Sequence, residues 1–203
     1  MQPLLDVVGV RRRCFGSSRA LQSLPFGRNG GVVSNRFAVL VAALVLIADR
    51  LSKAAVLAWI DRGHSIDVIP GFLALTHVRN PGAAFGLLAG ASSVWRDVFL
   101  IAVGVAAVVG LGWLLAGLPR ERRWQRLAAA GVIGGAIGNL IDRLIYGQVI
   151  DFIDAHFRGW HWPAFNVADS CITVGVVTLV LATLFAPESK ETTAGASKNS
   201  AAR

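Results

Sequence analysis

Four long apolar stretches constrain the fold of this chain more than any other feature. They run from Phe37 to Trp59, Asp97 to Leu118, Leu127 to Tyr146 and Val167 to Phe185. A bilayer core about 30 Å thick takes about 20 helical residues. The chain is 54% hydrophobic and 16% charged, against about 25% charged in soluble domains, so it lacks the polar surface that a soluble bundle needs. The sequence therefore predicts four membrane-spanning helices.

The basic residues indicate how these helices are oriented. The formal net charge of +8 would by itself fit a nucleic-acid partner. However, thirteen Lys and Arg residues lie in the two tails and in the short connector between the second and third stretches, and four lie in the other two connectors. Because basic loops remain in the cytoplasm, we expect both termini inside. The charge then reflects membrane topology, and we expect no nucleic-acid partner.

The apolar stretches also divide the chain into three parts. We predict a basic cytoplasmic tail over residues 1–36, a membrane domain over residues 37–186 and a polar cytoplasmic tail over residues 187–203. Cys14 and Cys171 lie far apart in unlike surroundings. Neither a disulfide framework nor a CxxC signature is present.

The third stretch carries overlapping GxxxG patterns, Gly131 with Gly135 and Gly134 with Gly138. Such glycines let helices approach one another closely. A dimer interface is one explanation, and packing within a four-helix bundle is the simpler one. We therefore expect a monomer.

Charged residues inside the apolar stretches carry the functional signal. Each costs on the order of 3 kcal/mol on insertion scales, so such groups face a bundle interior and serve a purpose. The predicted orientation collects them toward the outer side of the membrane. They are Asp49, Arg50 and Lys53 on the first stretch, Asp142 and Arg143 on the third, and Asp169 on the fourth.

Some of these polar residues also have structural explanations. Asp49 and Lys53 are spaced i,i+4 and can neutralise each other on one helix face, so a structural and a functional role are equally open. Asn139, Asp142 and Arg143 share one face of the third stretch. That position fits a supporting role better than chemistry.

The aspartates near the outer ends of the third and fourth stretches are harder to explain by structure alone. Asn166 is suited to cap the last helix, because Asn is a preferred N-cap residue. Asp169 lies too far along that helix to be only a cap. Asp151 is flanked by apolar residues in the segment Val149–Ile153, so it does not fit a solvated surface.

Two carboxylates in different environments are what water-activating hydrolysis requires. One is ionised and acts as the base, and the other is protonated and polarises a carbonyl group. The sequence offers no GxSxG motif, and no cysteine with a suitable histidine. The enzyme interpretation is therefore aspartic hydrolysis at the outer membrane surface.

The segment NPGAAFG, from Asn80 to Gly86, combines a turn dipeptide with small residues, so its backbone can approach another chain closely. A tight turn is the simpler explanation, and the position beside the carboxylates favours substrate contact. The four histidines show no metal-ligand spacing such as HExxH. We expect neither a metal nor another cofactor.

Five of these segments occur in one order along the chain. They are DRLSK (Asp49–Lys53), NPGAAFG (Asn80–Gly86), GNLIDR (Gly138–Arg143), VIDFI (Val149–Ile153) and FNVADS (Phe165–Ser170). Most of them are weak signals individually, but the ordered set is specific. Together they resemble lipoprotein signal peptidase, the bacterial type II signal peptidase, over residues 37–186.

The resemblance implies an all-α membrane protein with four transmembrane helices and a small extracytoplasmic β-structure within residues 62–90. It implies an aspartic endopeptidase of the bacterial cytoplasmic membrane, surrounded by membrane lipids, with its active site facing the outer leaflet. Such an enzyme removes signal peptides from prolipoproteins, on the N-terminal side of a diacylglyceryl-modified cysteine.

The resemblance also implies roles for individual residues. The catalytic pair would be Asp151 and Asp169. The matching substrate-binding or supporting positions are Asp49, Lys53, Asn80, Gly82, Asn139, Asp142, Arg143 and Asn166.

Two other classes of function remain as alternatives. A small proton-coupled transporter also uses intramembrane carboxylates, although four spans without an inverted repeat do not favour it. A structural membrane protein leaves the clustered carboxylates unexplained.

Overall fold

The computed structural model describes residues 32–82 and 93–185, which form four helices and four strands. The helices are α1 (Asn35–Trp59), α2 (Ser93–Gly117), α3 (Arg123–Tyr146) and α4 (Val167–Leu184). The strands are β1 (Ser65–Ile69), β2 (Leu73–Asn80), β3 (Val149–Phe157) and β4 (Trp160–His161). The predicted C-terminal tail, most of the N-terminal tail, and the part of the NPGAAFG segment from residue 83 onward lie outside the described residues.

The helices match the four predicted stretches, with differences at their ends. α2 and α3 each begin four residues before the predicted start, because hydropathy marks only the apolar part of a helix and the polar first turn lies beyond it. Within residues 32–82 and 93–185, three helical segments are long and apolar enough to cross a membrane: Val94–Gly117, Arg123–Tyr146 and Val167–Leu184. α1 is not among them, because charged residues interrupt its apolar sequence.

α3 is the central helix and packs against α1, α2 and α4. Its glycines allow this close packing. A Cβ atom at Gly135 would lie 2.6 Å from the backbone oxygen of Ala168 on α4, and one at Gly134 would collide with the backbone oxygen of Ala42 on α1. The GxxxG pattern therefore serves packing within the chain. A Cβ at Gly131 would meet no atom of the described residues within 4 Å.

The β-structure is larger than expected. Its strands run in the order β1-β2-β3-β4, and each neighbouring pair is antiparallel. β1 and β2 follow α1, as predicted, but β3 and β4 follow α3 and complete the sheet. The expectation of an all-α protein with β-structure only between the first two spans was too narrow. The apolar run around Asp151 looks like a continuation of the third span, and its strand conformation depends on pairing with distant β2.

The two ends of the helix bundle are held differently. At the end that carries the sheet, Val56 and Ile60 pack against Phe152 of β3. At the opposite end, Arg126 is 1% exposed, and its guanidinium donates to the backbone oxygens of Leu115, at 2.9 Å, and Leu118. Arg126 belongs to the connector between the second and third apolar stretches by hydropathy, but it lies inside α3 and donates to carbonyl groups at the end of α2.

Candidate active site

Asp151 and Asp169 come from different elements and lie at the same end of the bundle. Asp151 lies in the buried first half of β3 and is 2% exposed. Asp169 lies in the first turn of α4 and is partly exposed. β3 begins shortly after α3 ends, and α4 begins shortly after β4. The start of β3 and the start of α4 therefore lie in the same region, and each contributes one aspartate.

Both carboxylate oxygens of Asp151 accept hydrogen bonds from asparagine side chains. Asn166 Nδ2 donates to Oδ1 at 2.7 Å, and Asn80 Nδ2 donates to Oδ2 at 3.1 Å. Asn166 also caps α4, because its Oδ1 accepts from the backbone N–H of Asp169 at 2.8 Å. The prediction of Asn166 as an N-cap is confirmed, and the same side chain contacts both aspartates.

Asn139 connects Asp169 to the interior of the bundle. Its Nδ2 donates to Asp169 Oδ1 at 2.7 Å, and its Oδ1 accepts from Lys53 Nζ at 2.9 Å. The amide of Asn166 donates to the same Oδ1 at 3.3 Å. Two asparagines thus bridge the two aspartates, and both are buried.

A group of four charges, three of them fully buried, lies next to these asparagines. Lys53 Nζ is 2.8 Å from Asp49 Oδ2 and 2.7 Å from Asp142 Oδ2, and Arg50 forms a second ion pair with Asp142. Asp49 Oδ1 also accepts from the backbone N–H of Ala168, at 3.0 Å. The i,i+4 pair of Asp49 and Lys53 is therefore present, and it also holds the start of α4.

Gly82 and Arg143 complete the arrangement on the other side of Asp151. The backbone N–H of Gly82 donates to Asn80 Oδ1 at 2.9 Å, and Arg143 Nη2 donates to the Gly82 oxygen at 3.4 Å. Arg143 also donates to the backbone oxygen of Asn139, at 3.5 Å. All ten predicted site residues are thereby joined in one continuous network of hydrogen bonds and ion pairs.

The surroundings of Asp151 change its acidity. Burial, and after it the charge of neighbouring Asp169, raise the pKa of Asp151 to about 7, against the opposing effect of the hydrogen bonds from Asn80 and Asn166. Burial disfavours a charged carboxylate, and a nearby like charge does the same. Asp151 therefore binds a proton for part of the time at neutral pH.

Residues 41–185 match the family model for signal peptidase (SPase) II. The chain belongs to the signal peptidase II family. It is 45% identical over 147 residues to the lipoprotein signal peptidase of Syntrophotalea carbinolica, covering 72% of this chain and 90% of that protein. It is 46% identical over 140 residues to that of Burkholderia thailandensis, covering 69% of this chain and 82% of that protein.

A solved structure is similar to this chain over most of its length. A bacterial membrane enzyme solved by the in meso method at 2.3 Å resolution superposes with a TM-score of 0.69 and 31% sequence identity. The match covers 85% of this chain and 99% of that one. The arrangement of helices and sheet in this chain is therefore shared with a solved bacterial membrane enzyme.

Sequence reasoning missed one member of the network. Arg50 was noted as an intramembrane charge but was not included among the predicted site residues, although it pairs with Asp142. Its signal was the same as that of Asp49 and Lys53, a charged residue within an apolar stretch. The sequence does not indicate that Arg50 pairs with Asp142, because the two residues lie 92 positions apart.

Proposed function

We propose that this chain is a membrane aspartic endopeptidase that removes the signal peptide from prolipoproteins, cutting on the N-terminal side of the diacylglyceryl-modified cysteine. Membership of the signal peptidase II family supports the substrate class. The observation that carries the chemistry is the bridging of Asp151 and Asp169 by two buried asparagines. Asp151 and Asp169 are the proposed catalytic residues.

In this proposal the two aspartates share one proton. One carboxylate takes a proton from water, the water oxygen attacks the peptide carbonyl, and the other carboxyl group donates a hydrogen bond to the carbonyl oxygen. The peptide C–N bond of the resulting tetrahedral intermediate then breaks, and the proton taken from water passes to the leaving amine. The raised pKa of Asp151, about 7, suits a pair that holds a single proton near neutral pH.

The supporting residues act by position. Asn80, Asn139 and Asn166 orient the carboxylates through the hydrogen bonds they donate. Lys53 donates a hydrogen bond to Asn139 and forms ion pairs with Asp49 and Asp142. Such pre-set geometry matters because a misplacement of about 1 Å can cost about 100-fold in rate. We assign Gly82 and Arg143 to the rim of the substrate site.

We propose further that α1 is a fourth membrane span. Its 25 residues extend about 37 Å at 1.5 Å per residue, enough for a hydrocarbon core about 30 Å thick. Asp49 and Lys53 interrupt its apolar sequence, yet both side chains are fully buried and paired. Intramembrane charges that face the protein interior in pairs are compatible with a spanning helix.

The positions of the aspartates and of the basic connector also indicate how the helices are oriented in the membrane. The sheet and the aspartates lie where α1 ends and α4 begins, and the basic connector between α2 and α3 lies at the opposite end. Because basic connectors remain in the cytoplasm, the aspartates face the outer leaflet of the bacterial cytoplasmic membrane. Both termini are then cytoplasmic, as tails flanking a monomeric membrane domain over residues 37–186, surrounded by lipid.

The test is a gel-shift cleavage assay with the purified full chain and a diacylglyceryl-modified prolipoprotein. We expect cleavage immediately before the modified cysteine. Asp151→Asn and Asp169→Asn should each lose about 100-fold or more of the rate, the usual contribution of a general acid or base. Asp67→Asn is the matched control, because Asp67 is an exposed carboxylate of the sheet outside the network.

Normal processing by folded Asp169→Asn would overturn the assignment of the pair. Absence of cleavage by folded intact protein, together with proton flux in liposomes that needs Asp151, would favour a transporter instead. Full activity of the Asp151→Ala, Asp169→Ala double variant would leave only a structural role for both aspartates.

A further inference from the structure

A second cluster of ligand-type side chains lies on the hairpin formed by β3 and β4. His156 pairs directly with His161 across the two strands. Asp154 lies two residues before His156, and side chains two residues apart point to the same face of a strand. A tight turn makes this pairing possible, since Arg158 and Gly159 both adopt positive φ angles, 50° and 82°.

The donor atoms of these three residues converge. The His161 Nδ1 atom lies 2.9 Å and 3.0 Å from the two oxygens of Asp154, and His156 Nδ1 lies 3.8 Å from Asp154 Oδ2. One ligand atom from each of the three residues lies within 4.8 Å of the others. The two imidazole rings stack, with centroids 4.9 Å apart.

His156 supplies an independent indication. Its Nδ1 atom is buried and has no hydrogen-bond partner within residues 32–82 and 93–185. The 3.8 Å separation from Asp154 is too long for a hydrogen bond. A buried polar atom without a partner calls for an explanation such as a bound ion or water.

We infer that Asp154, His156 and His161 form a binding site for a divalent transition-metal ion of the zinc class. Two imidazoles and one carboxylate are a ligand set that such ions accept, with the remaining positions filled by water. Bond lengths of about 2.0–2.2 Å place neighbouring ligands of tetrahedral zinc about 3.2–3.6 Å apart. The Nδ1 atoms of His161 and His156 lie 2.9 Å and 3.8 Å from the nearest oxygens of Asp154, and these two distances bracket that spacing.

This site is separate from the aspartate network. Asp151 lies three residues before Asp154 on β3, so the alternation of a strand puts their side chains on opposite faces. A bound ion would join β4 to the part of β3 that also pairs with β2 through Ala74. It would therefore stiffen the hairpin next to the proposed active site without entering the reaction.

The test uses the full chain, purified without a polyhistidine tag, stripped with a chelator and titrated with Zn²⁺ by calorimetry. We expect one ion per chain. His156→Ala, His161→Ala and Asp154→Asn should each weaken binding about tenfold or more, since loss of even an outer-sphere partner costs about 10–100-fold. His64→Ala is the control, because His64 is exposed and lies outside the cluster.

Two further readouts distinguish a coordinated ion from surface charge. Co²⁺ should give d–d absorption bands that are lost in His161→Ala, and Mg²⁺ in equal amount should not displace Zn²⁺, because it prefers oxygen ligands. Hydrogen exchange of residues 154–162 should slow on addition of Zn²⁺. Zn²⁺ affinity equal in His161→Ala and His64→Ala, or no binding by the folded chain, would overturn the inference. Helical circular dichroism establishes that each variant is folded.

Discussion

Asn166 donates a hydrogen bond to Asp151 Oδ1 at 2.7 Å, and its own Oδ1 caps the helix that carries Asp169. A single buried side chain therefore sets the position of one aspartate directly and of the other through the start of α4. Helix capping and the geometry of the two aspartates are coupled at this residue. Substitutions at Asn166 should accordingly affect stability and cleavage together.

We expect Asn166→Ala to lower the free energy of unfolding by about 0.5–2 kcal/mol through loss of the cap and to reduce cleavage at least tenfold. Thermal unfolding in detergent and the gel-shift assay measure the two effects. Ser34→Ala is the matched control, because Ser34 caps α1 by accepting from Phe37 N–H at 3.2 Å and lies far from the aspartates in the chain. Equal loss of cleavage in both variants would show that capping alone is responsible.

Lys53→Met should be among the most destabilising substitutions in the part of the chain that the structure describes. It leaves Asp49 and Asp142 buried, with Arg50 the one cation still paired to Asp142 among the described residues. Breaking a buried ion pair by removing one partner costs about 3–5 kcal/mol. The unfolding midpoint in detergent should drop well below that of Arg62→Met, which removes an exposed cation. Equal midpoints for the two variants would contradict a structural role for the buried charges.

The stability of the protein should depend on pH through Asp151. Its pKa rises from the ordinary value of 3.8 to about 7 on folding, so between these values the folded state binds more protons than the unfolded state. The contribution of Asp151 to the free energy of unfolding therefore falls as the pH rises from about 4 to about 7, and it is constant above that range.

Asp151→Asn keeps a neutral side chain at every pH and removes this dependence. The unfolding midpoint of the variant minus that of the unaltered protein should increase between pH 4 and pH 7 and then level off. Scanning fluorimetry in detergent at several pH values measures this difference. A difference that stays constant over the whole range would be inconsistent with a raised pKa.

Gly138→Ala should disrupt the charge network from within α3. A Cβ atom at this position would collide with Asp49 Oδ2, the atom that pairs with Lys53. Forcing an extra methyl group into a packed interior costs about 1–3 kcal/mol, and we expect cleavage to fall as well.

Gly131→Ala, seven residues earlier on the same helix, is the control, because its new Cβ would meet no described atom within 4 Å. It should retain stability and cleavage. Should both alanine variants behave alike, helix propensity rather than contact with Asp49 would explain the result.

Much of the fold was predictable because the relevant signals are local. Helix positions follow from the length of each apolar stretch, and charges within those stretches identify side chains that avoid lipid. Asn166 as the cap of α4 and the Asp49–Lys53 pair follow from spacing along one helix. The sheet was predicted only in part, because an apolar segment such as Val149–Ile153 suits a helix or a strand equally well.

The sequence by itself determined the four helices, the collection of polar groups at one end of the bundle and ten of the residues that form the network. Only the tertiary structure decided that Asp151 lies on a strand, that Arg50 pairs with Asp142, and that two histidines and Asp154 converge. The physical reason is that pairing of β2 with β3 joins segments about 70 residues apart. Such pairing is stabilised by backbone hydrogen bonds and packing between distant residues. No short-range pattern in the sequence therefore predicts it.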